Sequence, residues 1–253
     1  MDAKEILNDL YAKISKHSGY QIIHEDIQKI INLPYKPKIN RYEKERYEFI
    51  TSCTNISNKS VLEIGGNLGY FTISLLRSSA NKIYYYEGNK DLHDFLIISA
   101  KLLNLIDKIE PFNEYYTFQH DHFYYDIVLL LNVLHHTGSD YNMNTSDPLK
   151  QIIGEINSLS INSNELILQL GFNWMGDINK PLFKNGTKKE MIDRILKDTK
   201  DKWSVVKIGI PVLNNDKIEY EELNDKNIQR NDRLGEFLNR PLFYFRLNSS
   251  LNK

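Results

Sequence analysis

Four groups of residues have the types and spacing to do chemistry. The first is Ser60-Val-Leu-Glu-Ile-Gly-Gly-Asn-Leu-Gly-Tyr-Phe-Thr72, a short apolar run carrying one acid, Glu63, and then a turn with Gly65, Gly66 and Gly69. Glycines there allow positive φ and close approach of the backbone to a ligand, so a bound molecule can lie over the end of the strand. The second is Glu87, 18 positions after Gly69, at the end of Lys82-Ile-Tyr-Tyr-Tyr-Glu-Gly-Asn89. That is near the roughly 20-residue separation at which nucleotide-binding folds set a carboxylate against ribose hydroxyls. A carboxylate accepts and vicinal hydroxyls donate. The third is Asp126-Ile-Val-Leu-Leu-Leu-Asn-Val-Leu-His-His-Thr-Gly138, an apolar run that opens into Asn132, His135 and His136. An imidazole near its ordinary pKa takes a proton from an alcohol or amine at neutral pH, which suits at least one histidine to the role of base or orienting group. A capping role is the plainer alternative. The fourth is Arg240, whose guanidinium can grip an anion with two parallel hydrogen bonds or serve in a surface ion pair.

Glu63 inside an apolar strand needs a cationic or hydrogen-bonding partner close to the turn, since an unpaired buried carboxylate is costly. A histidine pair adjacent in sequence is a poor metal site, and no matching third ligand follows at a telling spacing, so no metal is expected. His120 and His122 read as surface loop residues. The one cysteine, Cys53, excludes an internal disulfide and a cysteine metal cluster.

These groups need elements to hold them. Ile6, Leu7, Leu10, Tyr11 and Ile14 fall at helical spacing, and a second periodic segment spans about Asp26 to Leu33 before Pro34. Leu33-Pro-Tyr-Lys-Pro-Lys38 reads as an extended linker. A helix starting near Arg41 carries Tyr42, Arg46 and Phe49 on about one face. Its plain reading is an amphipathic helix with solvated charges; the sharper one sets Tyr42 or Arg46 over a ligand. Alternating apolar strands and helical patterns then continue: a helix from Tyr70, a strand to Glu87, a helix over Asp91–Leu105 and a short strand near Lys108–Glu114. The buried strand from Asp126 follows, then a helix opened by Asp147-Pro148, a strand over Asn164–Leu170, a helix over Thr187–Lys200 and a strand over Trp203–Ile210. Gly171-Phe-Asn-Trp-Met-Gly-Asp177 is an aromatic and polar loop, and Gln169, Asn173 and Trp174 could line a substrate pocket, although a Trp more often packs. Leu213–Asp232 is polar and reads as a loop, an insertion or a lid, and Phe237–Leu247 as a last strand.

The 253 residues suffice for one α/β domain with additions. A net charge of −1 with interleaved signs is not the footprint of a protein built to hold nucleic acid. The N-terminus lacks a signal-peptide pattern and no stretch is long and apolar enough to span a membrane, so a cytoplasmic protein is expected.

The first stretch resembles motif I of the class I S-adenosyl-L-methionine (SAM)-dependent methyltransferases: hydrophobic, hydrophobic, acid, hydrophobic, Gly-x-Gly-x-Gly. Gly65 and Gly69 fall on the outer glycines, and Asn67 replaces the middle one. Asn tolerates the left-handed conformation better than other residues with a Cβ. The order of strands and helices over about residues 41–247 fits the same family. The stretches Asp126–His136 and Arg233–Arg246 are similar to a subgroup containing tRNA wobble-uridine carboxymethyltransferases and small-molecule or surface-glycan O-methyltransferases. In those tRNA enzymes an aromatic stands where this chain has His135, and an arginine matching Arg240 engages the carboxylate of their modified cofactor.

The resemblance implies an α/β, Rossmann-like, seven-stranded and mostly parallel sheet with helices on both faces, a methyltransferase domain over 41–253 with a possible insertion or lid at 211–233, and a helical extension over 1–40. It implies SAM as cofactor, held by Glu63, Gly65, Gly66, Asn67, Gly69, Phe71, Glu87, Gly88 and Asn132, with Asn113 and Glu114 as candidates for the adenine amino group. His135 or His136 would act on the acceptor, and Arg240, Asn173, Trp174 and Tyr42 would contact it. The acceptor is expected to be a small polar molecule, a hydroxyl of a sugar or of a phosphate-bearing metabolite, without nucleic acid as partner. A tRNA-modifying enzyme and a non-catalytic SAM-binding protein are the alternatives.

Overall fold

The computed structural model describes residues 2–14, 21–31, 40–119, 123–138 and 146–248. The expected linker Leu33–Lys38, His120 and His122 lie outside the described residues. The chain divides between Tyr116 and Thr117 into two compact units.

The first unit contains α1 (Ala3–Lys13), α2 (Glu25–Ile31), α3 (Glu43–Cys53), β1 (Ser60–Ile64), α4 (Tyr70–Arg77), β2 (Lys82–Tyr86), α5 (Lys90–Leu102) and β3 (Ile109–Phe112). Its strands lie in the order β3-β2-β1, all parallel, with Val61 opposite Ile83 and Ile83 opposite Ile109. Parallel strands are covered on both faces, which is why β1 reads as an apolar run broken only by Glu63. Val61, Leu62 and Ile64 are buried, each contributing roughly 1.5–3 kcal/mol by leaving water. α1 and α2, from the segment expected as a helical extension, lie within this unit. Leu7, Leu10, Ile27 and Ile31 are buried. The Tyr11 ring lies 6.3 Å from that of Phe95 on α5, and Arg77 on α4 pairs with Asp26 on α2 at 2.9 Å.

The second unit contains β4 (Tyr125–Leu131), α6 (Pro148–Ser158), β5 (Ser163–Gln169), α7 (Lys188–Thr199), β6 (Trp203–Asn214), β7 (Lys217–Glu222) and β8 (Leu242–Leu247). The helix starts follow the sequence signals. Asp147 accepts from the Lys150 amide with Pro148 at the first position of α6, and Thr187 accepts from the Glu190 amide at the start of α7. The strand order is β4-β5-β8-β6-β7, with β4 and β5 parallel and every later pairing antiparallel.

Eight strands occur among the described residues where seven were expected. The extra one comes from the segment read as a loop or lid. β6 continues to Asn214, Asn215 and Asp216 adopt left-handed φ of 47° and 62°, and β7 returns as a hairpin. Two consecutive left-handed residues are what a two-residue hairpin turn of matching twist requires. The last strand also starts later than expected: 237–239 is a single helical turn, and Pro241, which has no N–H to give a ladder, precedes β8.

Candidate functional site

In the first unit the carboxyl ends of β1 and β2 are joined through the glycine turn. Gly65, Asn67 and Gly69 have φ of 69°, 53° and 78°. The Gly65 and Gly66 amides donate to the Tyr86 carbonyl at 2.8 and 3.2 Å. A Cβ on Gly66 would stand 2.2 Å from the Tyr85 ring, and one on Gly69 2.2 Å from Leu96, so these positions are bare because β2 and α5 press on the turn. Asn67 takes the left-handed place that the motif gives to glycine. Its side-chain oxygen accepts from the Leu68 amide at 2.9 Å and its carbonyl accepts from the Tyr85 hydroxyl.

Glu87 closes the arrangement. Its Oε2 accepts from the Asn67 amide at 2.9 Å and its Oε1 from the Asn89 amide at 2.8 Å, while the Asn113 side-chain amide donates to the Glu87 carbonyl at 2.9 Å. At 8% exposure the carboxylate is turned inward against the turn. Gly88 follows under the Tyr115 ring, which a Cβ would meet at 2.5 Å, and Glu114 is exposed. Tyr115 was missed by sequence reasoning because an aromatic in a loop carries no spacing signal.

Glu63 is 3% exposed and accepts a hydrogen bond from the Thr72 hydroxyl on α4. Burial pushes its carboxyl up to about 8, with the Thr72 bond opposing and the charge of Glu87 adding to the rise. The partner that Glu63 needs is thus a hydroxyl rather than a cation. Phe71 is buried, with the Arg46 guanidinium 5.0 Å from its ring centre. Arg46 lies 3.4 Å from Glu43, and both are buried, contrary to the solvated charges expected on α3. Burial raises the Glu43 carboxyl while Arg46 opposes that rise. Tyr42 starts α3 with φ 54°, its amide donating to Asn40 at 2.8 Å. Gln21, unmarked in the sequence reading, accepts from the Tyr70 amide at the start of α4 at 3.2 Å.

In the second unit β4 is followed by Asn132, left-handed at φ 61°. The Asn132 side chain donates to Gln169 at 2.8 Å and accepts from Arg240 Nη1 at 2.8 Å. Arg240 is the residue whose expected use changes most. Its Nε meets both oxygens of Glu236 at 3.0 and 3.1 Å, and its Nη2 meets Oε2 at 2.5 Å. The two-pronged face expected to hold an acceptor's anion therefore already holds an internal carboxylate. Glu236 also accepts from the Phe172 amide at 3.0 Å, which ties the loop after β5 to the same pair. Sequence reasoning missed Glu236; its spacing of four from Arg240 was the available signal.

His135 is 4% exposed and its ring centre lies 4.3 Å from that of His136 in the helical turn Leu134–His136. A Cβ on Gly171 would stand 3.1 Å from the His135 ring and 3.2 Å from Arg240 Nη2. The bare Gly171 is what lets imidazole and guanidinium flank one backbone position. Trp174 donates to the Thr137 carbonyl at 2.6 Å, with Lys180 5.3 Å from its ring, and Asn173 bridges to Pro181. Both fasten the loop, Trp174 directly to the residue after the histidine pair. Among the described residues no group of three His, Cys, Asp or Glu could hold a metal ion, and no helix is long and apolar enough to cross a membrane.

No family model matches the chain, and no curated protein does. Solved structures do. The magnesium protoporphyrin IX methyltransferase ChlM from Synechocystis PCC 6803, crystallised with bound SAM, matches with a TM-score of 0.52 at 15% identity over 98% of each chain. The bifunctional kinase-methyltransferase WbdD matches with a TM-score of 0.60 at 13% identity, over 95% of this chain and 45% of WbdD. The chain has the methyltransferase fold. In a methyltransferase fold, as in other open parallel sheets, ligands bind beyond the carboxyl ends of the strands, and there Asn67 and Glu87 meet. The chain spans less than half of WbdD, so that likeness reaches only part of that protein.

Proposed function

We propose that the chain is a SAM-dependent O-methyltransferase whose acceptor is a hydroxyl of a sugar or of a phosphate-bearing metabolite, in a pathway such as surface-glycan synthesis. The observation that carries this reading is the inward Glu87 carboxylate bonded to the amide of a left-handed Asn67. Ribose hydroxyls are donors and the carboxylate is an acceptor-only group, so the chemistry of the donor set fits a nucleoside. SAM, when bound, supplies an electrophilic methyl on its sulfonium. The protein's part is alignment and proton handling. Gly65, Gly66, Asn67 and Gly69 shape the turn, Glu87 takes the ribose, and Glu63 with Thr72 fixes the end of β1 to α4 from beneath. Gly88, Asn113 and Glu114 would border the adenine.

His135 or His136 would take the proton of the acceptor hydroxyl, and the Arg240–Glu236 pair would hold the surrounding loop. Asn132 holds Gln169 and Arg240 in place beside them. Calorimetric titration with SAM and with its demethylated product tests the first half of the reading: binding of both is expected, and binding of neither defeats it. A screen of sugar and phosphate-bearing acceptors for methyl transfer tests the second.

A further inference from the structure

Lys188, the first residue of α7, is 2% exposed, a rare place for an ammonium ion. Its Nζ donates to the Asn227 carbonyl at 2.9 Å, and no carboxylate among the described residues pairs with it. Burial, reinforced by the nearby Arg230, pushes its pKa down to about 8. Its position compounds this, because a cation at the first turn faces the positive end of the helix dipole. Arg230 donates from Nη1 to the Gly186 carbonyl at 2.7 Å and from Nε to Asp232 at 2.6 Å. Asp232 is 83% exposed, so water screens the one acid offsetting the two cations. Glu190, on the same turn, is engaged by the Asn185 amide at 2.6 Å.

A buried cation with only a carbonyl as partner is expensive. The start of α7 is capped by Thr187, so Lys188 is not needed as its cap. The place matters as well. The Arg230 guanidinium lies 5.3 Å from the Phe172 ring centre, and Phe172 adjoins Gly171, the residue flanked by His135 and Arg240. The segment bearing Asn227 is exposed at Asn224, Asp225 and Lys226 and is held chiefly by Asn224 and Asn227 side chains, two of whose bonds go to the Glu222 carbonyl.

We infer that Lys188 and Arg230 form an anion subsite that takes a phosphate monoester group of the acceptor, the Asn227 carbonyl giving way as the phosphate enters. Ammonium, guanidinium and helix end together suit a tetrahedral dianion better than a single carboxylate. This rests on the acceptor reading above and moves the anion-holding role from Arg240, whose fork is filled, to Lys188 and Arg230.

Thermal shift and calorimetry with inorganic phosphate and with glucose 6-phosphate at pH 7 test the assignment, alongside SAM titrations. Phosphate should raise the melting temperature of the wild-type chain. Lys188→Met should raise the basal melting temperature, because it removes an uncompensated buried charge, and should abolish the phosphate-dependent rise. Arg230→Gln, at an exposed position, should weaken phosphate about tenfold or more, the loss expected for a charge-assisted bond. Both variants should bind SAM as the wild type does. An undiminished phosphate response in both variants overturns the subsite, as does a wild type that binds SAM but not phosphate. A short RNA oligomer that displaces phosphate more effectively than glucose 6-phosphate overturns the small-molecule assignment. Phosphate binding without SAM binding would instead defeat the methyltransferase reading and leave the subsite standing.

Discussion

At the strand ends of the first unit the buried carboxyl groups are Glu63 and Glu87, satisfied by backbone amides and one hydroxyl. At the strand ends of the second, a guanidinium and a carboxylate, Arg240 and Glu236, neutralise one another beside an imidazole. The difference separates two ways of building a site. The first accumulates acceptors and raises the cost of keeping them charged, so it suits a ligand rich in donors. The second is electrically closed, and Glu236 also holds the Phe172 amide next to Gly171, the backbone position that His135 and Arg240 flank. A charge whose partner is internal positions other groups, whereas one whose partners are weak dipoles recruits.

Breaking each half should have effects of different kind and size. His135→Ala and His136→Ala, measured as turnover with the acceptor found by screening, should slow the reaction by about 10²–10⁴-fold for whichever residue is the base while SAM affinity holds. Full activity in both would remove the imidazoles from the chemistry. Glu87→Ala should weaken SAM by roughly tenfold or more in calorimetry, as loss of a hydrogen-bonded charged acceptor does. It should also cost about 1–3 kcal/mol of stability, since the Asn67 and Asn89 amides lose their acceptor.

The acid side of the comparison has a pH signature. The Glu63 carboxyl is raised from 4.5 to about 8, so the folded chain keeps a proton that the unfolded chain releases. That stabilisation is complete below the unfolded value and fades as pH climbs through about 8. Urea unfolding at pH 6 and pH 9 should show the wild type losing stability at the higher pH, with Glu63→Gln flattening the profile. The smallest effect is expected at Gly171. Gly171→Ala must push the His135 ring or Arg240 aside by a few tenths of an ångström, since both lie about 3 Å from the added carbon. Turnover should drop severalfold with SAM affinity unchanged; an equal drop in both would show that this position does more than flank the imidazole.

The turn after β1, the acid after β2 and the histidines after β4 were all legible, because each is a local signal: an apolar run, a breaker and a polar residue at a fixed distance. The left-handed Asn67 also follows from local sterics. Other features depend on tertiary pairing. Glu43 and Arg46 are three apart on a helix and, seen alone, look solvated; their burial follows from what packs over α3, Phe71 among it. Glu236 stands four residues before Arg240, but that spacing pairs side chains reliably only on a helix, and here the intervening residues form a single tight turn. β7 hides because only Ile218 and Tyr220 turn from water, and Glu219 and Glu221 between them make the stretch read as polar loop.

That hairpin has a bearing on how copies of the chain treat one another. β7 ends the strand order of the second unit and is an open margin onto which another strand could be laid. Glu219, Glu221 and Glu222 stand exposed along it, so a second molecule aligned there in an antiparallel manner would face acid with acid. The acids that obscure β7 in the sequence thus act as gatekeepers against edgewise stacking. Neutralising them with glutamine should be the shortest route to an aggregating variant.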